Sequence, residues 1–433
     1  MSKLTRRNFV KLTSSVAAVG LTACAGGPSP SIAGNYKHRV VIIGGGYAGA
    51  VAAKYIRMAD SSVKVTLIEQ NKNYYSCPLS NWVVAGFRDI EVQKWGYNGL
   101  KGHGVEVVHE KATKVDPVGK KVTTASGNTF KYDQLVVSPG VGFRDLEGYD
   151  MAASHKMPHA WKAGPQTVQL AKQLKAMKNG DPFIMVAPPN PFRCPPGPYE
   201  RASLVAHFLK KHKPKSKVLI LDAKDKFSKF GLFTGGWKQL YGYGTANSMI
   251  EWVPGGEGGK VSRVDAKSMT VYTEMEEFTS SCINVIPAQK ANQIAVSAGL
   301  TDKKGWCPVN LKTFESKMHK DVYVIGDSSA AAGLPKSGYA ANSEAKVCAS
   351  AIVAKLNHKA VPTPSYVNTC YSMLSPDYGI SVAAVYKFDA AKPNKVQKVA
   401  GGLSPSKAPD FIRKQEALYN ESWYQSIMAD TFG

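Results

Sequence analysis

Arg39-Val40-Val41-Ile42-Ile43 is a nearly unbroken apolar run close to the start of the chain. A run without polar alternation predicts a strand buried on both faces, as in a parallel sheet. Gly44-Gly45-Gly46-Tyr47-Ala48-Gly49 follows, and a helix-like pattern continues to about Met58. Val63-Lys64-Val65-Thr66-Leu67-Ile68 then predicts a second strand, which ends at Glu69. Similar runs recur at Gln134–Val137, Phe183–Ala187 and Val322–Ile325. Strands alternating with helical stretches predict an α/β fold.

The first strand, glycine loop, helix and second strand stand in the register of a dinucleotide-binding βαβ unit. Gly44 permits the tight turn, Gly46 lets the backbone approach a pyrophosphate, and Gly49 lets helix and strand pack closely. The helix N-terminus attracts the phosphates. Glu69, twenty positions after Gly49, stands where an acid accepts a ribose hydroxyl. Asp321-Val322-Tyr323-Val324-Ile325-Gly326-Asp327 resembles the second flavin motif of the two-dinucleotide flavoproteins, in which the aspartate binds the ribityl chain. Tyr132 to Gly140, with Pro139 and Gly140 at its end, resembles their middle motif. The resemblance implies FAD, held by Gly44, Gly46, Gly49, Glu69, Pro139, Gly140, Gly326 and Asp327.

Relatives that use a nicotinamide cofactor carry a second glycine-rich loop in the middle domain. Here the strand Phe183–Ala187 is followed by Pro188-Pro189-Asn190-Pro191. Proline has no backbone N–H to offer a pyrophosphate. The middle domain is therefore expected to keep its fold and lack the nicotinamide site, so that electrons arrive from a substrate acting directly at the flavin or a nearby disulfide.

Charge and cysteine content narrow the chemistry. The full chain carries a formal +23. The first 24 residues hold Lys3, Arg6, Arg7 and Lys11 and no acid, which leaves about +19 for the remainder. The lysines are dispersed except at Lys210-Lys211-His212-Lys213, read as a solvated helix end. The field attracts small anions or an acidic partner, and nucleic acid is not expected. Of seven cysteines, none forms a Cys-x-x-Cys or haem-attachment motif. No metal site is expected, and any haem must sit on another subunit. Cys282, Cys307 and Cys348 read as core or structural.

Thr5-Arg6-Arg7-Asn8-Phe9 before a short apolar run predicts a twin-arginine export signal and a periplasmic protein. The run is too short to span a bilayer. Leu21-Thr22-Ala23-Cys24 also fits a lipoprotein cleavage site. Membrane attachment is expected only if Cys24 is lipidated; cleavage nearby would instead remove it.

Three segments carry a closer resemblance: Ala187 to Ala202, including Phe192-Arg193-Cys194-Pro195-Pro196-Gly197-Pro198; Leu334 to Asn342; and Ser422-Trp423-Tyr424. From about Lys37 to Gly433 the chain resembles the flavoprotein subunit of flavocytochrome c sulfide dehydrogenase. The resemblance implies two Rossmann-like dinucleotide-binding domains, glutathione-reductase-like, plus a small C-terminal α+β domain. The expected boundaries are 1–34 for signal and linker, 35–148 with 265–361 for the FAD domain, 149–264 for the degenerate NAD-like domain, and 362–433 for the C-terminal domain. It implies that Cys77, in Tyr74-Tyr75-Ser76-Cys77, bonds the flavin 8α-methyl group. Cys194 and Cys370 are implied as a redox disulfide beside the flavin ring, with Cys370 on the flavin side and Cys194 taking the sulfur of hydrosulfide. Glu200 is implied as the nearby acid–base group. Lys336 is expected to place positive charge at the flavin edge, with Gly338 and the segment through Asn342 directing a helix N-terminus there. The expected reaction oxidises hydrosulfide to persulfide or polysulfide sulfur and passes electrons to a c-type cytochrome subunit. Two other readings stay open: a sulfide:quinone oxidoreductase, which needs a basic amphipathic C-terminal helix that residues 405–433 do not predict, and a flavin–disulfide accessory protein serving a sulfur-carrier partner.

Overall fold

A computed structural model describes residues 36–433. Arg6, Arg7 and Cys24, and the export and lipidation readings that rest on them, lie outside the described residues.

The first apolar run is the strand His38–Ile43. It is the centre of a five-stranded parallel sheet in the order Val322–Val324, Gln134–Val137, His38–Ile43, Val63–Ile68, Glu106–Val108. Both faces are covered, which explains why the run has no polar alternation: Val40 and Ile42 are fully buried, and so is Leu67 in the neighbouring strand. The helix Tyr47–Ala59 follows the glycine loop. Its Ala-rich face packs on the sheet and on the long helix Gly338–Leu356. Gly49 is where helix and turn approach most closely, since a Cβ there would lie 1.8 Å from the Gly44 carbonyl oxygen.

A second parallel sheet has the order Ile250–Val253, Val218–Asp222, Phe183–Ala187, Cys282–Val285. Its last strand lies beyond residue 264, so the expected boundary of the middle domain is too early. Cys282–Val285 is a short, wholly buried strand, and its sheet partner is set by a crossover that periodicity does not reveal. At the carboxyl edge of this sheet several polar side chains satisfy one another beside a cavity of about 250 Å³. Asp222, fully buried, accepts from Tyr199 Oη at 2.6 Å and Trp252 Nε1 at 3.0 Å. Its other oxygen pairs with Lys224 Nζ, which also donates to the Pro188 carbonyl at 2.6 Å.

The C-terminal segment forms an antiparallel sheet, Ser365–Ser375, Tyr378–Lys387 and Gln397–Leu403, and then the helix Asp410–Phe432. This segment joins two cores. Leu374, Tyr378 and Ile380 pack with the middle sheet's side chains, while Tyr424, Ile427, Met428 and Phe432 pack with the first sheet's. The helix is 23 residues long but carries only Arg413 and Lys414 against Asp410, Glu416, Glu421 and Asp430. It is long, as the sequence did not predict, yet not basic. Lys210, Lys211 and His212 are exposed at the end of the helix Gly197–His212. Cys282, Cys307 and Cys348 are fully buried, as expected of core thiols.

Gly49→Ala drives a methyl group into backbone rather than into a movable side chain. The expected loss is about 1–3 kcal/mol of stability, read by urea denaturation of the purified protein.

Candidate active site

A cavity of about 530 Å³ lies along the carboxyl ends of the first sheet's strands. Its wall takes Gly44 to Ala48 from the turn after the first strand, Glu69 to Asn71 from the second, and Ser138 to Val141 and Ile325 to Asp327 from the other two. Ligands of parallel sheets bind at this edge. Gly44 has φ +92° and backs onto the Ser138 carbonyl. A Cβ on Gly46 would meet nothing nearer than the Tyr74 ring, at 3.5 Å, so its backbone faces open space. Glu69 Oε2 accepts from Gly45 N at 2.8 Å, and Oε1 accepts from Asn71 N at 2.8 Å. The acid thus pins both loops that flank the adenosine end of a dinucleotide.

Asp327 lines the cavity with one carboxylate oxygen buried and unpartnered, Oδ1. Such an acceptor calls for a donor from a ligand. Burial raises its pKa, against the pull of Arg193 and Lys336. The open glycine turn, the loop-pinning acid and this orphaned carboxylate fit an extended dinucleotide with a ribityl chain.

Most of the residues expected to hold a cofactor do line the cavity: Gly44, Gly46, Glu69, Cys77, Pro139, Gly140, Gly326, Asp327 and Gly338. Gly49 stands behind it as a packing residue. Lys336, expected to place positive charge at the flavin edge, lies behind the cavity lining. Its ammonium donates to the carbonyls of Asp327 at 2.8 Å and Ser329 at 2.6 Å and lies 4.0 Å over the Trp306 ring. It braces the Gly326-Asp327 turn from behind.

At the other end, Cys77, Cys194 and Cys370 line one wall. All three are free thiols here, so the implied Cys194–Cys370 bond is not formed. Both line the same cavity, and burial first, then charge on Cys370, raises the Cys194 pKa. Cys194 takes a left-handed conformation, φ +56°, unusual for a residue with a side chain. Its N–H donates to the Lys336 carbonyl at 2.7 Å, and its carbonyl accepts from Gly197 N at 2.8 Å. The turn therefore presents the thiol at the start of the helix Gly197–His212. Cys370 sits on the strand Ser365–Ser375, its Sγ 3.5 Å from the Tyr371 carbonyl.

Glu200, in the first turn of that helix, is buried and lines the same wall. Oε2 accepts from Asn81 Nδ2 at 2.7 Å and Oε1 from Met373 N at 3.0 Å. Burial raises its pKa; these hydrogen bonds and the charges of Lys229 and Arg201 oppose that.

Four participants escaped the sequence reading. Arg193 Nη2 donates to Cys77 Sγ at 3.1 Å, and Nη1 lies 4.0 Å from Asp327 Oδ2. Arg201, 1% exposed, holds Asn81 Oδ1 at 2.9 Å and thereby orients the amide that binds Glu200. Asn81 and Lys229 complete the set; Lys229 donates to Ser372 Oγ at 2.8 Å. Only the adjacency of Arg193 to Cys194 was a usable signal. Trp423 also lines the cavity, stacked on Tyr339.

Comparison with known proteins places this geometry. The family model described as the central part of the sulfide dehydrogenase [flavocytochrome c] flavoprotein chain matches residues 167–287, and the flavocytochrome c sulphide dehydrogenase flavin-binding model matches 362–432. The flavoprotein chain of sulfide dehydrogenase from Chlorobaculum thiosulfatiphilum is 51% identical over 45 residues, 94% of that sequence and 10% of this chain. The chain belongs to the flavocytochrome c sulfide dehydrogenase flavoprotein family. Residues 38–176 match the pyridine nucleotide-disulphide oxidoreductase model. A sulfide-quinone reductase from Aquifex aeolicus is 24% identical over 330 residues, 70% of this chain and 73% of that one. The solved sulfide:quinone oxidoreductase of Aquifex aeolicus superposes with a TM-score of 0.69 at 21% identity, covering 91% and 92% of the two chains. The sulfide dehydrogenase flavoprotein family is thus a flavin-binding, sulfide-oxidising branch of this α/β fold, with Rossmann-like domains as expected.

Glu200 raises the pKa of both Cys194 and Cys370. This holds only where Glu200 is ionised, above its own raised pKa. In the reduced protein, Glu200→Gln is expected to speed iodoacetamide alkylation of both thiols about tenfold at alkaline pH. The difference should close at acid pH, where Glu200 is already neutral; peptide mass spectrometry reads both.

Proposed function

We propose that this chain is the flavoprotein subunit of a sulfide:cytochrome c oxidoreductase, oxidising hydrosulfide through a Cys194–Cys370 disulfide. The observation that carries this reading is the meeting of two cysteines from distant segments in the cofactor cavity, beside a buried carboxylate. In the oxidised enzyme hydrosulfide attacks Cys194 Sγ as any thiolate attacks a disulfide. The S–S bond breaks, a persulfide forms on Cys194, and Cys370 leaves as thiolate. Glu200 receives a proton from the substrate or the persulfide, a task suited to a carboxyl whose pKa burial has raised.

Gly44, Gly46, Glu69, Gly140 and Asp327 would hold FAD, and Cys77 would carry it as a thioether. When bound, FAD supplies an acceptor for an electron pair that is released one electron at a time, as a haem requires. Arg193 keeps positive charge against Cys77 and Asp327. The prolines after Phe183–Ala187, which offer no backbone N–H, and the mutual pairing of Asp222 and Lys224 support a site without nicotinamide, with sulfide as the electron source.

The acceptor distinguishes this reading from the sulfide:quinone reaction of the Aquifex relatives. The C-terminal helix favours the cytochrome: its side chains are acidic in balance, and Tyr424, Ile427, Met428 and Phe432 face the protein core rather than a bilayer. The twin-arginine segment supports export to the periplasm, where c-type cytochromes reside.

Anaerobic mixing of the holoprotein with sulfide is expected to bleach the flavin rapidly, and cytochrome c, not a quinone analogue, should restore it. Cys194→Ser and Cys370→Ser are each expected to abolish the fast phase; a wild-type flavin untouched by sulfide would sink the proposal. Acid precipitation is expected to leave flavin on the wild-type polypeptide and to release it from Cys77→Ser. Full release from wild type rules out the thioether.

A further inference from the structure

The sulfur pair is symmetric as chemistry, so something must decide which sulfur leaves when the bond is attacked. The departing sulfur becomes an anion in a buried place, and an uncompensated buried charge is strongly unfavourable. The cations around the pair are differently engaged. Arg193 is directed at Cys77 and Asp327. Arg201 is spent on Asn81, Asn284 and the carbonyls of His159 and Ala160. Lys229 makes no salt bridge among the described residues, and its hydrogen-bond acceptors are neutral: Ser372 Oγ at 2.8 Å and the Cys370 carbonyl at 3.4 Å. Its side chain is 7% exposed.

The backbone holds it there. Lys229 has φ +60° and caps the N-terminus of the helix Phe230–Tyr241. That left-handed turn carries the ammonium against the strand of Cys370 rather than out to solvent.

We propose that Lys229 is the positioning residue that stabilises the Cys370 thiolate and so makes Cys370 the leaving sulfur and Cys194 the persulfide carrier. The proposal rests on the disulfide reading above. The exchange balances: HS⁻ and the disulfide give Cys194–S–SH and Cys370–S⁻, with the negative charge moving from solvent to the side of Lys229.

The charges facing this point are consistent with that division. Burial raises the Cys370 pKa, Lys229 is the charge that opposes this, and Glu200 adds to the rise. Burial lowers the Lys229 pKa, and Cys370, Glu200, Cys194 and Glu416 all raise it again. An anion appearing on Cys370 therefore holds the lysine proton in place. Burial raises the Cys194 pKa, charge on Cys370 and Glu200 adds to the rise, and Arg193 opposes it only in part.

The test uses the reduced holoprotein, alkylated with iodoacetamide over a range of pH and read peptide by peptide. In wild type, Cys370 is expected to titrate below Cys194; the reverse order overturns the proposal without any variant. Lys229→Gln keeps a donor for Ser372 and removes the charge. It is expected to slow Cys370 alkylation about tenfold below the thiol pKa, a shift of about one unit, and to leave Cys194 within about twofold. Lys229→Arg is expected to restore the rate. A Cys370 rate unchanged in Lys229→Gln, with flavin content and circular dichroism matching wild type, overturns the proposal. With limiting sulfide and the oxidised holoprotein, the trapped persulfide is expected on Cys194 in wild type and on both cysteines in Lys229→Gln. A wild-type protein that forms no persulfide defeats the disulfide reading instead, while the thiol titration still decides the role of Lys229.

Discussion

The buried carboxylate of Glu200 is the junction on which the site depends. It accepts one hydrogen bond from Asn81, in the segment after Cys77, and one from the backbone of Met373, three residues beyond Cys370. Glu200 itself lies six residues after Cys194. One side chain thus ties together the three stretches of chain that bring the three cysteines to one wall. A carboxylate out of water is unfavourable unless its acceptors are filled, and here both oxygens are. The arrangement therefore constrains the fold: the C-terminal strand must arrive in the register that offers the Met373 N–H, and that register also delivers Cys370 to Cys194.

Charge balance is the second level of organisation. Arg193, Arg201 and Lys229 lie among Glu200, Asp327 and the three thiols, and burial raises the pKa of Cys194 and Cys370. Each cation has a separate task, one at the proposed flavin tether, one orienting Asn81, one beside Cys370. An arginine serves the first two because its planar fork spans several acceptors at once. A lysine serves the third because a single ammonium can meet a single developing charge.

What the sequence disclosed follows from how local each signal is. The first strand, glycine turn, helix and Glu69 lie within thirty-odd consecutive residues, and their roles are set by backbone constraints that glycine and apolar runs express directly. The expectation of no nicotinamide site was equally local, since it rests on prolines that remove N–H groups wherever the chain goes. By contrast, the placement of Cys282–Val285 in the middle sheet depends on a crossover. The inward face of the C-terminal helix depends on a partner that the helix does not encode. Lys336 follows the same rule. Read beside the Gly-Asp motif it is a charge available to a cofactor, yet the Trp306 ring and two carbonyls claim it first. Lys229 gives no local sign at all, because its meaning comes from a strand some 140 residues away.

One segment, Pro188–Pro198, links the edge of the middle sheet to the cysteine wall of the other cavity. In a parallel sheet the carboxyl edge is where a ligand is expected, and here Asp222, Lys224, Tyr199 and Trp252 satisfy one another instead. The Pro188–Pro198 segment passes from that edge to the other cavity and turns through the left-handed conformation at Cys194. In the proposed reaction hydrosulfide, small and anionic, requires no dinucleotide cleft, only an accessible sulfur and a place for the charge it displaces.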